Sequence, residues 1–298
     1  MLPLGRATDD AMVRIARETS AYYVATVAIE NDERNGLSHR LEIKSTRPEV
    51  TLRSRPNVLL VKAADGAMTP QNALRTATVH TGFGLRTLAV ASRNDGDAKN
   101  TIKLVGLVEP IDPSVKITAA AAGVYNAKGT LVAQWTAKPE ELQRSPFAAA
   151  LAVPAGLYRM RVAAVDAQGR VATSDYDINA EMVSAGVAHL GGLLVGTANP
   201  GFMPKLLFSN EPEAMVYFEL YGRPTGQFEA LVELAETVQG PAIASAPATP
   251  AATATQDRFV FTANLPIASL KPGDYVVRAK ITFPGQPAGL LVRTIRKK

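Results

Sequence analysis

The chain has 298 residues, about twice the usual size of one domain, and its 47% hydrophobic and 20% charged residues exclude a largely disordered protein. The net charge of +5 is too small for this length to indicate nucleic-acid binding. Because there is no cysteine and there are three histidines, disulfides and thiolate metal sites are excluded and a histidine-rich site is disfavoured. We expect no cofactor.

The first sixty or so residues have an α/β pattern. Apolar residues at spacings of three and four predict a helix over 8–20, and an almost wholly apolar run predicts a buried strand over 22–29. Alternating apolar and polar residues predict hairpin strands over 37–45 and 50–53. A Pro- and Gly-bearing linker with a short helix follows over 63–83. The start of the chain shows no signal peptide, and no segment favours a membrane span.

The rest of the chain has the rhythm of an antiparallel β-protein, and one segment is repeated. The string PAGLYRMRV at 154–162 returns as KPGDYVVRA at 271–279, with a Gly turn followed by Tyr and Arg at the same spacing. We therefore predict a mainly β fold with two immunoglobulin- or fibronectin III-like sandwiches, over 84–183 and 205–298, joined by a linker over 184–204. The Ala-, Pro- and Thr-rich segment 239–256 is predicted to be a disordered loop.

The sequence contains none of the common catalytic motifs, so we predict no catalytic or cofactor-binding residue. Two clusters of oxygen-bearing side chains are candidates for calcium, because calcium prefers oxygen ligands supplied by loops. They are Asp95, Asp97 and Asn100 in one turn, and Asp175 and Asp177 at alternating positions of a strand. Trp135 is the only tryptophan and is expected to be a packing residue.

Residues 8–60 resemble the closing part of bacterial von Willebrand factor A (VWA)-like domains of the type common in acidobacteria. The resemblance lies in IARETSAYYV at 15–24, RNGLSHRLEIK at 34–44 and RPEVTLRSR at 47–55, a last helix and strand followed by a basic hairpin. It implies that 1–62 is the C-terminal remnant of an A domain and that the rest is the β-rich tail following it. The family's Asp-x-Ser-x-Ser metal motif would lie upstream of Met1, so no metal ligand is transferred.

Together these observations favour a non-enzymatic scaffold or protein-interaction module. The resemblance implies a location outside the cytoplasm, periplasmic or secreted. The alternative is a carbohydrate- or calcium-binding β-sandwich module. We expect an unidentified protein partner, and neither nucleic acid, a membrane span nor a small-molecule ligand is favoured.

Overall fold

The computed structural model describes residues 37–44, 57–59, 68–95, 101–198, 201–223, 227–253 and 257–298. The chain divides into one unit over Met1–Ala67 and another over Met68–Lys298. In the first unit, β1 (Ser38–Arg40) pairs antiparallel with β2 (Asn57–Leu59). The predicted helix over 8–20 and the predicted strands over 22–29 and 50–53 lie outside the described residues. None of the helices in the described residues has the length and apolar character needed to span a bilayer.

The second unit begins with the short helix α1 (Pro70–Arg75). Thr69 caps this helix because its hydroxyl accepts a hydrogen bond from the Asn72 amide at 3.2 Å. The apolar side of α1 packs on a β-sheet through Ala73 and Leu74, which form a small cluster with Ala121 and Ala163. The helix therefore covers part of the outer face of that sheet.

Seven strands after α1 form two antiparallel sheets around one apolar core, which we call the first sandwich. One sheet has the order β3-β4-β7 and the other the order β6-β5-β8-β9. The strands are β3 (Leu85–Arg93), β4 (Thr101–Pro110), β5 (Ile117–Tyr125), β6 (Leu131–Thr136), β7 (Phe147–Pro154), β8 (Gly156–Asp166) and β9 (Val171–Ala180), with a 3-10 helix at Glu141–Gln143. Residues of β7 alternate between buried and exposed, because successive side chains of a strand point to opposite faces of the sheet.

The second sandwich is built from the remaining strands, again as two antiparallel sheets around one core. Its sheets have the orders β10-β11-β13-β17-β16, with β12 also paired to β11, and β15-β14-β18-β19. The strands are β10 (Val183–Ala185), β11 (Ala188–Thr197), β12 (Met203–Pro204), β13 (Glu213–Tyr221), β14 (Glu229–Ala235), β15 (Ala242–Pro247), β16 (Thr249–Ala252), β17 (Arg258–Pro266), β18 (Gly273–Thr282) and β19 (Gly289–Lys297).

The two sandwiches share one strand order. The set β3-β4-β7 corresponds to β11-β13-β17, and β6-β5-β8-β9 corresponds to β15-β14-β18-β19. The repeated sequence lies on β8 and β18, which occupy the same place in their sheets. In each, the tyrosine hydroxyl donates to a backbone carbonyl four residues upstream, Tyr158 to Pro154 and Tyr275 to Lys271, both at 3.0 Å. This is the tyrosine corner of immunoglobulin-like sandwiches, and the fold is a mainly β, fibronectin III-like one.

Two predictions about connecting segments are wrong. The predicted linker over 184–204 contains β11, whose Gly-rich sequence forms a full strand between β10 and β13. The predicted disordered loop over 239–256 contains β15 and β16, although residues 254–256 lie outside the described part of the chain. Both strands lie at sheet edges, where Ala, Ser and Pro suffice because pairing uses the backbone and Pro need not donate to a second neighbour.

Candidate interaction site between the two sandwiches

A cleft of about 800 Å³ lies between the two sandwiches, and both contribute to its walls. One wall is the outer face of the sheet β3-β4-β7. Its side chains lie in cross-strand rows, with Val105 paired to Val90 and Ala150 in one row and Lys103 paired to Ser92 and Ala152 in the next. This wall of the cleft is therefore apolar and built mostly of small side chains, and it becomes polar at one end.

The opposite wall comes from the second sandwich and carries larger side chains. Leu194, Phe202, Pro204 and Tyr217 line it, and the rings of Phe202 and Tyr217 stack with centroids 5.1 Å apart. An apolar cleft at a domain junction with a few convergent polar groups is the usual form of a binding site.

Arg93 joins the two sandwiches at the polar end of the cleft. Its guanidinium donates two hydrogen bonds to Asp257, at 2.8 and 3.1 Å, and one to Asp95 at 2.7 Å. The same group lies over the ring of Tyr221, 4.6 Å from the centroid, in a cation–π contact. The hydrogen bonds to Arg93 hold the pKa of Asp257 below its usual value, and those to Asp257 raise the pKa of Arg93.

Glu219 is the buried acid of this junction, with 6% of its surface exposed. Its carboxylate accepts hydrogen bonds from the hydroxyl of Tyr217 at 2.6 Å, from the hydroxyl of Tyr221 and from the guanidinium of Arg258. Burial, and then the bond to Glu219, raises the pKa of each tyrosine above its usual range. Arg258 also lies 3.6 Å from Asp95 of the first sandwich. The network thus links five charged side chains and two phenols.

The backbones of the two sandwiches also approach closely. At Gly191 of β11 an added Cβ atom would lie 2.8 Å from the carbonyl oxygen of Ala91 in β3, so only glycine fits there. Nearby, Arg293 reaches across the junction towards the Ala89 carbonyl, with Nη2 at 3.4 Å. Its Nε and Nη1 are shielded from solvent and have no hydrogen-bond partner among the described residues, and burial lowers its pKa to about 10.

A second groove, of about 690 Å³, lies beside α1 on the first sandwich. Most of the polar side chains that line it form hydrogen bonds or ion pairs within the chain. The hydroxyls of Tyr125 and Tyr158 donate to backbone carbonyls, and Arg159 and Arg161 form ion pairs with Asp177 and Asp175 at 3.1 and 2.7 Å. We therefore take the inter-sandwich cleft as the candidate site.

In the described part of the chain, each predicted calcium candidate pairs with an arginine. Asp95 belongs to the junction network, and Asp97 and Asn100 lie outside the described residues. Asp175 and Asp177 are both on β9, and each pairs with an arginine of β8. Among the residues that the structure describes, no group of three or more His, Asp or Glu side chains is placed to hold a metal ion. Trp135, the predicted packing residue, stacks on Phe147 at 6.1 Å at the edge of the first core.

Sequence reasoning missed the junction residues, yet one signal was present. Glu219 is the only charged residue in the otherwise apolar and aromatic string VYFELY at 216–221. A carboxylate in such a strand needs a cationic partner, because burying an unpaired charge is very costly. Arg258 is that partner, but it follows 39 residues later and no local spacing relates the two.

The chain was compared with known proteins by sequence and by structure. No protein-family model matches the chain, and no curated protein is similar to it in sequence. Among solved structures it is similar to the tetra-tandem repeat in the extending region of a large adhesion protein, with 15% identity, 70% of this chain and 48% of that chain covered and a TM-score of 0.26.

It is also similar to a 1.5-MDa bacterial ice-binding adhesin, with 10% identity, 66% and 57% coverage and a TM-score of 0.22. A third similar structure contains the fibronectin(III)-like modules of Clostridium thermocellum CbhA, with 13% identity, 67% and 85% coverage and a TM-score of 0.21. The chain spans about half the length of the two adhesin structures. Because these scores are low, the fold assignment comes from the strand order and the tyrosine corners described above.

Proposed function

We propose that the chain is a non-enzymatic interaction module that acts outside the cytoplasm, in which two fibronectin III-like sandwiches form one rigid platform. The observation that carries this proposal is the charged network between the sandwiches. Asp95 and Arg93 of the first sandwich pair with Arg258 and Asp257 of the second, beside the cleft that both line. A platform fixed in this way presents its cleft and loops in one geometry, which lowers the entropic cost of binding.

The location and the wider context of the module come from sequence. The resemblance of residues 8–60 to the end of VWA-like domains supports a place outside the cytoplasm and a role as the tail of an A domain. In this proposal the sandwiches space or present that domain and recognise a protein partner. The ranges we propose for the sandwiches follow the strands, 84–182 for the first and 183–298 for the second.

Rigidity can be tested by pulsed electron–electron double resonance, which measures the distance between two spin labels. The chain has no cysteine of its own, so labels attach only to cysteines introduced for this purpose. One label replaces Lys128 in the first sandwich and the other replaces Glu236 in the second, both exposed positions. We expect a narrow distance distribution for the otherwise unchanged protein. We expect a broader distribution after Arg93→Met, which keeps an unbranched hydrocarbon stem but removes the hydrogen bonds to Asp257 and Asp95.

A matched control places both labels in the first sandwich, at Lys128 and Glu140, which are also exposed. This distance should stay narrow in the Arg93→Met variant, because the change affects only the junction. A broad inter-sandwich distribution in the protein with intact Arg93 would overturn the rigid-platform proposal.

A further inference from the structure

The two sandwiches differ at one corresponding sheet edge. In the second sandwich, the edge of β17 that faces away from β13 is filled by β16, which pairs antiparallel with it from Thr249–Thr262 to Ala252–Phe259. In the first sandwich, the corresponding strand is β7. Among the described residues it is hydrogen-bonded only to β4, while β6 of the other sheet and the 3-10 helix Glu141–Gln143 pack near it. The chain thus supplies an additional strand to one copy of the sheet and leaves the other copy open.

The open edge of β7 lacks the usual protection against strand pairing. Its sequence, FAAALAVP, has no charged residue, whereas exposed edges are commonly guarded by lysines, bulges or very short strands. Over the described residues, the backbone of β7 pairs with β4 and with no other segment. Along this eight-residue strand, every second residue therefore directs its backbone groups away from β4, where they are available to a partner strand.

The same strand forms part of the first-sandwich wall of the inter-sandwich cleft. Ala148, Ala150 and Ala152 are exposed on the outer face of β7 and line the cleft. Side chains on one face of an added strand would lie beside these alanines, about 7 Å from one to the next. Because the alanines are small, large side chains can extend over them towards Phe202 and Leu194 on the opposite wall.

Charge selects what one of these side chains should be. Lys103 lies directly opposite Ala152 in the register of β4 and β7 and lines the cleft. In the described part of the chain, the ion pairs at the cleft use Arg93 and Arg258, and Lys103 forms none. A carboxylate on a strand added beside Ala152 could reach the Lys103 ammonium across the alanine.

We infer that β7 accepts an extended segment of a partner protein as an antiparallel strand, as β17 accepts β16. The segment carries an acidic residue beside Ala152 and large apolar residues beside Ala150 and Ala148. Read from its N-terminus, it has the pattern acidic-x-apolar-x-apolar. This inference rests on the proposed interaction function and names the edge and the partner chemistry through which the interaction is made.

The test uses a fluorescein-labelled, capped peptide with the sequence Thr-Glu-Thr-Leu-Thr-Phe-Thr and the full chain. We expect saturable binding by fluorescence anisotropy with a Kd of about 10 to 100 μM, as is common for short peptides that order on binding. A peptide of the same composition with Leu and Glu exchanged should bind about tenfold more weakly, because its carboxylate then faces the apolar row. Hydrogen exchange should slow at the amides of β7.

Two variants assign the binding to this edge. Ala150→Lys places a charge on the exposed face of β7, at a position where it does not enter the core, and should weaken binding at least tenfold. Ala242→Lys makes the same change at an exposed position on another edge strand, β15, and should leave binding unchanged. Lys103→Gln should weaken binding of the Glu peptide about fivefold and leave a Gln peptide unaffected.

Absence of binding at 1 mM peptide to the folded chain would overturn the inference, and so would binding that Ala150→Lys leaves intact. Concentration-dependent dimerisation that Ala150→Lys abolishes would assign the edge to a second copy and would also overturn it. None of these outcomes affects the spin-label distances, so the rigid-platform proposal stands or falls separately.

Discussion

The two sandwiches have the same strand order, but their hydrophobic cores are filled by different residues. The second core contains fully buried Phe208, Phe218 and Phe261, whereas the first has one buried phenylalanine, Phe147, at a strand end. Elsewhere the first core relies on many alanines and on Met160, whose methyl group fills the space above Gly106. The topology therefore fixes where side chains meet but leaves their sizes free, provided that the interior is filled.

The two sandwiches also differ in whether one sheet edge is covered by an additional strand. The second sandwich closes its β17 edge with its own strand β16, and the first leaves β7 open beside the cleft. A Phe-rich, closed copy next to an Ala-rich, open one suggests a division of roles. In this view the second sandwich anchors the unit and the first offers the surface for a partner.

Truncating an aromatic side chain in each core tests whether the second sandwich is the better packed. Phe261→Ala should cost about 4 kcal/mol of unfolding free energy, because the ring is fully buried and lies 5.1 and 5.9 Å from those of Phe218 and Phe228. Phe147→Ala should cost about 3 kcal/mol, since its ring has one aromatic neighbour, Trp135, at 6.1 Å. Urea unfolding measures both. A larger loss for Phe147→Ala would contradict the comparison.

Breaking the buried ion pair of the second sandwich is expected to rank next. Arg258→Met leaves the Glu219 carboxylate with two hydroxyl donors and no cation, which should cost about 3 kcal/mol in urea unfolding. Adding Glu219→Gln removes the stranded charge, so the double variant should recover about half of that loss. Simple addition of the two single losses would show that the pair does not act as a unit.

The sequence predicted what local patterns determine. The Gly-x-Tyr-x-x-Arg repeat correctly marked β8 and β18, because a tyrosine corner is made within five consecutive residues. The sequence interpretation missed β15 and β16, because strands rich in Ala and Pro have weak propensity and gain their order from tertiary pairing. The junction was beyond local reasoning, since Arg93 meets Asp257 across 164 residues of chain.

The repeated tyrosines allow the two copies to be compared at one matched contact. Tyr158→Phe and Tyr275→Phe each remove one hydrogen bond of 3.0 Å to a backbone carbonyl and should each cost about 1 kcal/mol. The sites are in different sandwiches, so the double variant should lose about 2 kcal/mol. Unequal losses would show that only one copy depends on its corner. The denaturant midpoint at constant slope provides the measurement.

The smallest expected effect is a response of the junction to acid. Because Arg93 holds the pKa of Asp257 below the usual 3.8, their pairing stabilises the junction above about pH 4 and is lost as the pH falls through the lowered value. Asp257 is well exposed, with 41% of its side chain accessible, so the effect is modest. The other charged or titratable groups facing the pair are Asp95, Glu219, Arg223, Arg258 and Tyr221.

The inter-sandwich spin-label distribution should therefore broaden between pH 6 and pH 3, while the distribution within the first sandwich should not. In an Asp257→Asn variant the distribution should already be broader at pH 6 and should change less on acidification, because the titrating partner of Arg93 has been removed. If acid leaves the distance unchanged with Asp257 present, the close backbone approach at Gly191 and the apolar contacts, rather than the charges, hold the two sandwiches together.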